Sequence, residues 1–208
     1  MGDTVGLSTT SQDQSMTVNI LQQPSFFQFL AAIDSDLASR IRLQGCRFCG
    51  GALHSACYPR KPRGEPKETD SVAATTRQSF CCDRCRRRTT PESVRFLGRR
   101  VYPGFIMVLL SGMQSGVTNN LINKLRLHLG VARRTLQRWR HWWREIFVET
   151  PFWDLGKGRF MPPIDHAALP KSLLDRFRGE DAQSQLVRCL QFLAPLSRPG
   201  MITYGDGR

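Results

Sequence analysis

Cys46-Arg47-Phe48-Cys49-Gly50-Gly51 and Cys82-Asp83-Arg84-Cys85 decide how the first half of this chain folds. A Cys-x-x-Cys places two thiolates on one tight turn, close enough to share a metal. Two such turns complete a tetrahedral sulfur shell, which Zn2+ accepts readily. The glycines after Cys49 let the backbone turn back sharply past the metal. Two knuckles of this kind, each joined to a short strand, form a zinc ribbon. Strands are expected over residues 53–58 and 77–81, with 59–76, carrying Pro, Gly, Lys and Glu, as an exposed hairpin loop between them.

The expected cofactor is one structural Zn2+ held by Cys46, Cys49, Cys82 and Cys85. Three other side chains compete as ligands. Cys81 adjoins Cys82 and forms a Cys-x-x-x-Cys with Cys85, while His54 or Cys57 can replace an outer ligand. A thioredoxin-like redox role would need a βαβ pattern around a single Cys-x-x-Cys, and a deaminase site would need a His-x-Glu. The sequence has neither. Cys189 stands apart and reads as a buried apolar residue.

Working outward, charge divides the 208 residues unevenly. Residues 1–39 have four acids and no Lys or Arg, whereas 40–100 have fifteen basic residues against five acidic, and 101–148 seven against one. The net charge of +13 is therefore concentrated in the middle of the chain, which points to a polyanionic partner there. Arg86, Arg87 and Arg88 leave the second knuckle directly, with Arg84 beside them, and match phosphate oxygens with their guanidinium forks. Arg95, Arg99 and Arg100 continue the basic character, and Phe96, Leu97, Val101 and Tyr102 are expected to pack the joint to the next segment. The longest apolar run, residues 105–110, is far below the about twenty residues that span a bilayer. The opening residues lack the basic segment and apolar run of a secretory signal. Cytoplasmic, nucleoid-associated residence is expected, with seven cysteines serving as metal ligands or buried thiols rather than disulfides.

The expected fold is small α+β, a zinc ribbon followed by an all-α helix-turn-helix module with C-terminal covering helices. Residues 1–23 read as a flexible N-terminus and 24–43 as an amphipathic helix. The ribbon takes 44–100, the helix-turn-helix 101–148 and a helical extension 149–208. In the first helix Ser25 is the expected cap, and Phe26, Phe29, Leu30, Ile33, Leu37 and Ile41 share one face. Residues 105–113 form a buried helix. Thr118 caps the next, which carries Leu121, Ile122, Leu125 and Leu129. Gly130 interrupts the pattern, Val131 plugs the turn, and a last helix runs over 133–147.

Leu136, Trp139, Trp143 and Phe147 face the core in that last helix, extended by Trp142 and Ile146. Its polar side offers Arg133, Arg134, Gln137, Arg138, Arg140, His141 and Arg144. A helix, a glycine turn and a basic helix are the arrangement in which the last helix enters the major groove. Arg133, Arg134, Gln137 and Arg138, nearest its N-terminus, are the candidate base readers. Arg140 and Arg144 are candidate phosphate contacts.

Taken together, Cys46 to Gly51, His54 to Arg63 and Phe80 to Arg100 resemble bacterial zinc-ribbon proteins of mobile elements. Leu129-Gly130-Val131-Ala132-Arg133-Arg134-Thr135-Leu136-Gln137-Arg138-Trp139 is similar to the transposase-type helix-turn-helix. The resemblance covers roughly residues 44–165 and implies a part in DNA binding. A full transposase of the common kind adds a ribonuclease-H-like domain with three metal-binding carboxylates. After the helix-turn-helix the sequence offers Asp154, Asp165, Asp175, Glu180 and Asp181 without alternating strands to gather them. The resemblance thus implies the recognition half without the cutting half: a site-specific DNA-binding accessory or regulatory protein, not an enzyme. The expected partners are double-stranded DNA, a second copy of the chain and a separate transposase or recombinase, with no membrane. An RNA-binding ribbon protein and a DNA-cleaving recombinase are the competing readings.

Overall fold

The computed structural model describes residues 20, 23–60, 76–97, 103–112, 123, 129–198 and 201. Helix α1 (Pro24–Gln44) opens on Pro24, so its N-cap is Gln23, without a side-chain cap bond, and not Ser25. Proline's fixed φ suits the first helical position, where its missing N–H is no loss. The buried residues of α1 are Phe26, Phe27, Leu30, Asp34 and Ala38. The three-and-four spacing holds, but the stripe is rotated, and Phe29 lies 48% exposed.

Asp34 sets that rotation. It is 1% exposed, and its carboxylate accepts hydrogen bonds from the Ser93 hydroxyl at 2.5 Å, the Val94 amide at 2.8 Å and Arg95 Nε at 2.8 Å. Arg95, expected on the basic surface, is therefore a buried ion-pair partner, and it also donates to the Thr76 carbonyl. Phe96 and Leu97 are buried as expected, whereas Arg99, Arg100, Val101 and Tyr102 lie outside the described residues.

The expected hairpin is present with its ladder interrupted. Strands β1 (Leu53–Ser55) and β4 (Phe80–Cys82) pair antiparallel, as do β2 (Tyr58–Pro59) and β3 (Thr76–Arg77). Ser55 opposes Phe80 and Tyr58 opposes Arg77, so one register runs through the gap. The Ala56 amide, bonded to the Ser79 carbonyl at 2.8 Å, carries it across. A strand absent from the sequence expectation, β5 (Arg88–Thr89), pairs with β4 and completes a β1-β4-β5 sheet. Most of the loop joining β2 to β3 lies outside the described residues.

Helix α2 (Gly104–Gly112) buries Ile106, Met107, Val108 and Leu110. Of the expected helix before Gly130, only Asn123 and Leu129 are described; Thr118, Leu121, Ile122 and Leu125 lie outside. Helix α3 (Arg133–His141) passes into a π-helical turn, Trp142–Ile146, and a 3-10 turn, Phe147–Glu149, where the spacing predicts one continuous α-helix. The wider turn brings both Trp142 and Trp143 to the core and leaves Ile146 43% exposed.

The remaining helices cover this core. Thr150 caps α4 (Pro151–Gly156) by accepting from the Trp153 amide. Helix α5 (Lys171–Leu174) is one turn long, and α6 (Ala182–Leu193), capped by Asp181, buries Leu186, Val187, Cys189, Leu190 and Leu193. Phe26, Phe27 and Leu30 of α1 join the large apolar cluster formed by the helices, while Ala38 and Ile41 join a smaller one with Leu53, Phe80, Cys46 and Cys82. Helix α1 thus braces the cysteine-bearing sheet against the helices. The whole is a small α+β fold in which a cysteine cluster able to chelate a metal is followed by several helices.

Candidate metal centre and basic faces

The two Cys-x-x-Cys turns are built alike. In the first, the Cys46 amide donates to the Gly51 carbonyl and the Gly50 amide to the Cys46 carbonyl. In the second, the Cys82 amide donates to the Arg87 carbonyl and the Arg86 amide to the Cys82 carbonyl. Gly50 has φ 69° and Arg86 φ 59°, so an arginine holds in the second turn the left-handed position that glycine holds in the first. That conformation costs a residue with a Cβ on the order of 1 kcal/mol, and it directs the chain out of the knuckle into β5.

These turns bring the sulfurs of Cys46, Cys49, Cys82 and Cys85 within 4.8 Å of one another. Cys46 and Cys85 Sγ are 3.6 Å apart, and Cys49 and Cys82 Sγ 3.5 Å. Zinc–sulfur bonds of about 2.3 Å in a tetrahedron place sulfurs about 3.8 Å apart, so the donor set fits zinc. Gly51 is part of the same fit. A Cβ there would stand 2.9 Å from Cys82 Sγ and 2.8 Å from Asp83 Oδ1. The second glycine of the motif therefore makes room for the Cys82 thiol, a candidate ligand, in addition to the turn that the first provides.

Without metal the thiols differ. The Phe48 backbone amide and the neighbouring thiols outweigh burial at Cys46 and lower it to about 7. Cys82 receives a backbone bond from Cys85 that lowers it, but burial and the bonds shared with Cys49 and Cys85 prevail and push it up to about 12. Cys46 thus offers a thiolate long before Cys82 does, and bound Zn2+ would supply the charge that Cys82 needs.

The three alternative ligands lie outside this group. Cys81 Sγ faces the Arg86 carbonyl at 3.5 Å. Exposed Cys57 is held by Ser55 and Gln78, and His54 Nε2 is 3.9 Å from Asp83. Strand alternation accounts for Cys81: it is half-buried, next to a fully buried Cys82.

Arg84, Arg86, Arg87 and Arg88 are all exposed around the cysteine cluster. Arg87 and Arg47 each lie over the ring of Phe48, at 4.5 and 4.7 Å from its centroid. Phe48, 46% exposed between two candidate metal ligands, escapes a reading of the sequence because an aromatic there looks like ordinary knuckle packing.

The second basic face is on α3. Gly130 has φ 63°, Val131 is fully buried, and α3 follows at once. Thr135, Leu136, Trp139, Trp142 and Trp143 are buried on one side. Arg133, Arg134, Gln137, Arg138, His141 and Arg144 are exposed on the other. Arg140 is half-buried, and burial followed by the nearby Arg144 charge lowers its guanidinium. Ala132 occupies the N-cap without a side-chain bond, so the first amides of α3 are left open at the end where Arg133 and Arg134 stand.

Four aspartates of the C-terminal segment do local work. Asp154 pairs with Lys157 at 2.7 Å and Asp175 with Lys171 at 2.8 Å. Asp165 accepts from the Ala167 amide and Asp181 from the Ser184 amide. His166 packs edge-on against Trp153 at 5.7 Å. Among the described residues no helix is long and apolar enough to cross a membrane. Comparison with protein-family models, curated proteins and solved structures returns no match.

Proposed function

We propose that the chain is a site-specific DNA-binding accessory or regulatory protein of a mobile element, with one structural Zn2+ and no catalysis of its own. The observation that carries this reading is the two-sided α3. Buried Trp139, with Trp142 and Trp143 in the turn that follows, holds a helix whose exposed face, beginning directly after the Val131–Ala132 turn, is almost wholly Arg and Gln. Such a helix fits the major groove of B-form DNA, whereas duplex RNA closes that groove to side chains. Arg133, Arg134, Gln137 and Arg138 read bases, Arg140 and Arg144 touch phosphates, and the cysteine cluster presents Arg84, Arg86, Arg87 and Arg88 to the backbone. The local pairing of Asp154, Asp165, Asp175 and Asp181 supports a role without two-metal cleavage. The mobile-element context rests on the motif resemblance, which also supplies a separate transposase or recombinase and a second copy of the chain as partners.

The test is selection of bound fragments from sheared genomic DNA and total RNA by zinc-loaded protein at about 0.15 M salt, where generic attraction to polyanions is suppressed. Enrichment of one duplex sequence is expected, and its position at an element end would mark a transposition factor. RNA enrichment, or no duplex preference, would refute the reading.

A further inference from the structure

Beside the cysteine cluster the structure holds a third basic feature that the groove-reading helix does not use. A cleft of about 460 Å3 opens between the C-terminal half of α1 and the chain leaving β5. Arg40, Arg47, Arg88 and Arg198 line it with Glu92. That one carboxylate is engaged by Arg198 at 3.0 Å, so the cleft is a cationic recess. Guanidinium groups gathered at a recess suit a phosphate.

Arg47 connects the recess to Phe48. Arg47 lines the cleft, and its guanidinium lies 4.7 Å from the Phe48 ring centroid. Phe48 belongs to neither hydrophobic cluster and stands 46% exposed on a turn that two candidate metal ligands hold in place. An exposed ring on a rigid turn, beside a cationic recess, is the pairing with which proteins hold single strands: base on ring, backbone in basic groove. In a duplex the bases are stacked and offer no free face.

We propose that Phe48 and this cleft take an unpaired nucleotide of a DNA strand, its base stacked on the Phe48 ring in place of the Arg87 guanidinium and its phosphate between Arg40 and Arg47. This rests on the reading of the partner as DNA. With α3 on the duplex, the chain then recognises a place where duplex gives way to single strand, such as a frayed or nicked end.

The experiment compares a blunt duplex with the same duplex bearing a single-stranded oligothymidine tail or an oligouridine RNA tail. Binding is measured by anisotropy with the full zinc-loaded chain at about 0.15 M salt. The DNA tail should raise affinity by roughly tenfold. Phe48→Leu should remove that gain while leaving zinc content unchanged, Phe48→Trp should keep it, and Arg40→Gln should reduce it. Equal affinity for tailed and blunt duplexes overturns the proposal, as does a gain that survives Phe48→Leu or appears only with the RNA tail. Failure to bind even the blunt duplex, with zinc bound, would instead overturn the reading of the partner as DNA, and this proposal with it.

Discussion

Replacing Asp34 by alanine tests how α1 is fastened to the cysteine-bearing sheet. Asp34 accepts three hydrogen bonds, from Ser93, Val94 and Arg95, and Arg95 and Arg77 are themselves 6% and 1% exposed. Asp34→Ala leaves two buried guanidiniums without their nearby anion. Breaking a buried pair in this way costs about 3–5 kcal/mol. At about 2–4 °C per kcal/mol for a chain of this size, the melting temperature should fall by about 6–20 °C.

Asp34→Asn does not escape. Arg95 Nε and Ser93 share one carboxylate oxygen and the Val94 amide takes the other. Whichever way the amide turns, its NH2 meets a donor that cannot accept, Arg95 or Val94. Its loss should approach that of alanine. Asp34→Leu combined with Arg95→Met removes both charges and should recover part of it, since apolar replacement of a whole pair is often tolerated. Urea unfolding followed by tryptophan fluorescence reads all these variants. An Asp34→Ala loss within about 0.5 kcal/mol of zero, the ordinary range for a surface change, would refute the reasoning.

Other outcomes follow from the metal centre and the turns. Cys82→Ala should abolish zinc binding and unfold the sheet around the cluster, because metal binding and folding are coupled in such modules; a folded, metal-free variant by circular dichroism and metal analysis would contradict this. Gly51→Ala should weaken zinc retention against a chelator, since its methyl would press on Cys82 Sγ. Gly50→Ala, with open space at that position, should destabilise only by backbone strain of about 1 kcal/mol. Lowering the pH through about 7 protonates the Cys46 thiolate, so zinc affinity should fall with acidification and rise with pH, as a titration against a competing chelator would show. In the zinc-loaded chain, iodoacetamide with peptide mapping should modify exposed Cys57 first and spare the four clustered cysteines and fully buried Cys189, whose thiol burial pushes well up; chelation should unmask the four but not Cys189.

Much of this site is legible in the sequence because its chemistry is local. A Cys-x-x-Cys specifies its own turn, and the spacing of Leu136, Trp139 and Trp143 specifies which side of α3 is buried, whatever surrounds them. What escapes depends on contacts between distant segments. Asp34 reads as a polar position on a helix until Ser93, Val94 and Arg95 are placed against it, and the same pairing withdraws Arg95 from the basic surface. Arg86 and Arg88 read as a charge run, yet one supplies a left-handed turn and the other a strand, because β5 forms only after the second knuckle has reversed the chain. Ile146 departs from its expected place for a different reason. A period of 3.6 cannot anticipate the π-helical turn that shifts the residues after His141. Phe48 and the cleft beside it belong to three segments at once, and no pattern in any one of them announces the site.

The most direct test of the central claim is the ratio of affinities for a selected duplex and its scrambled counterpart, measured at about 0.15 M salt for the zinc-loaded chain and for variants in each basic face. The account predicts that Arg134→Ala collapses the ratio, whereas Arg87→Ala weakens both duplexes alike and preserves it. A ratio that survives Arg134→Ala, or that falls equally in both variants, would contradict the assignment of base reading to α3.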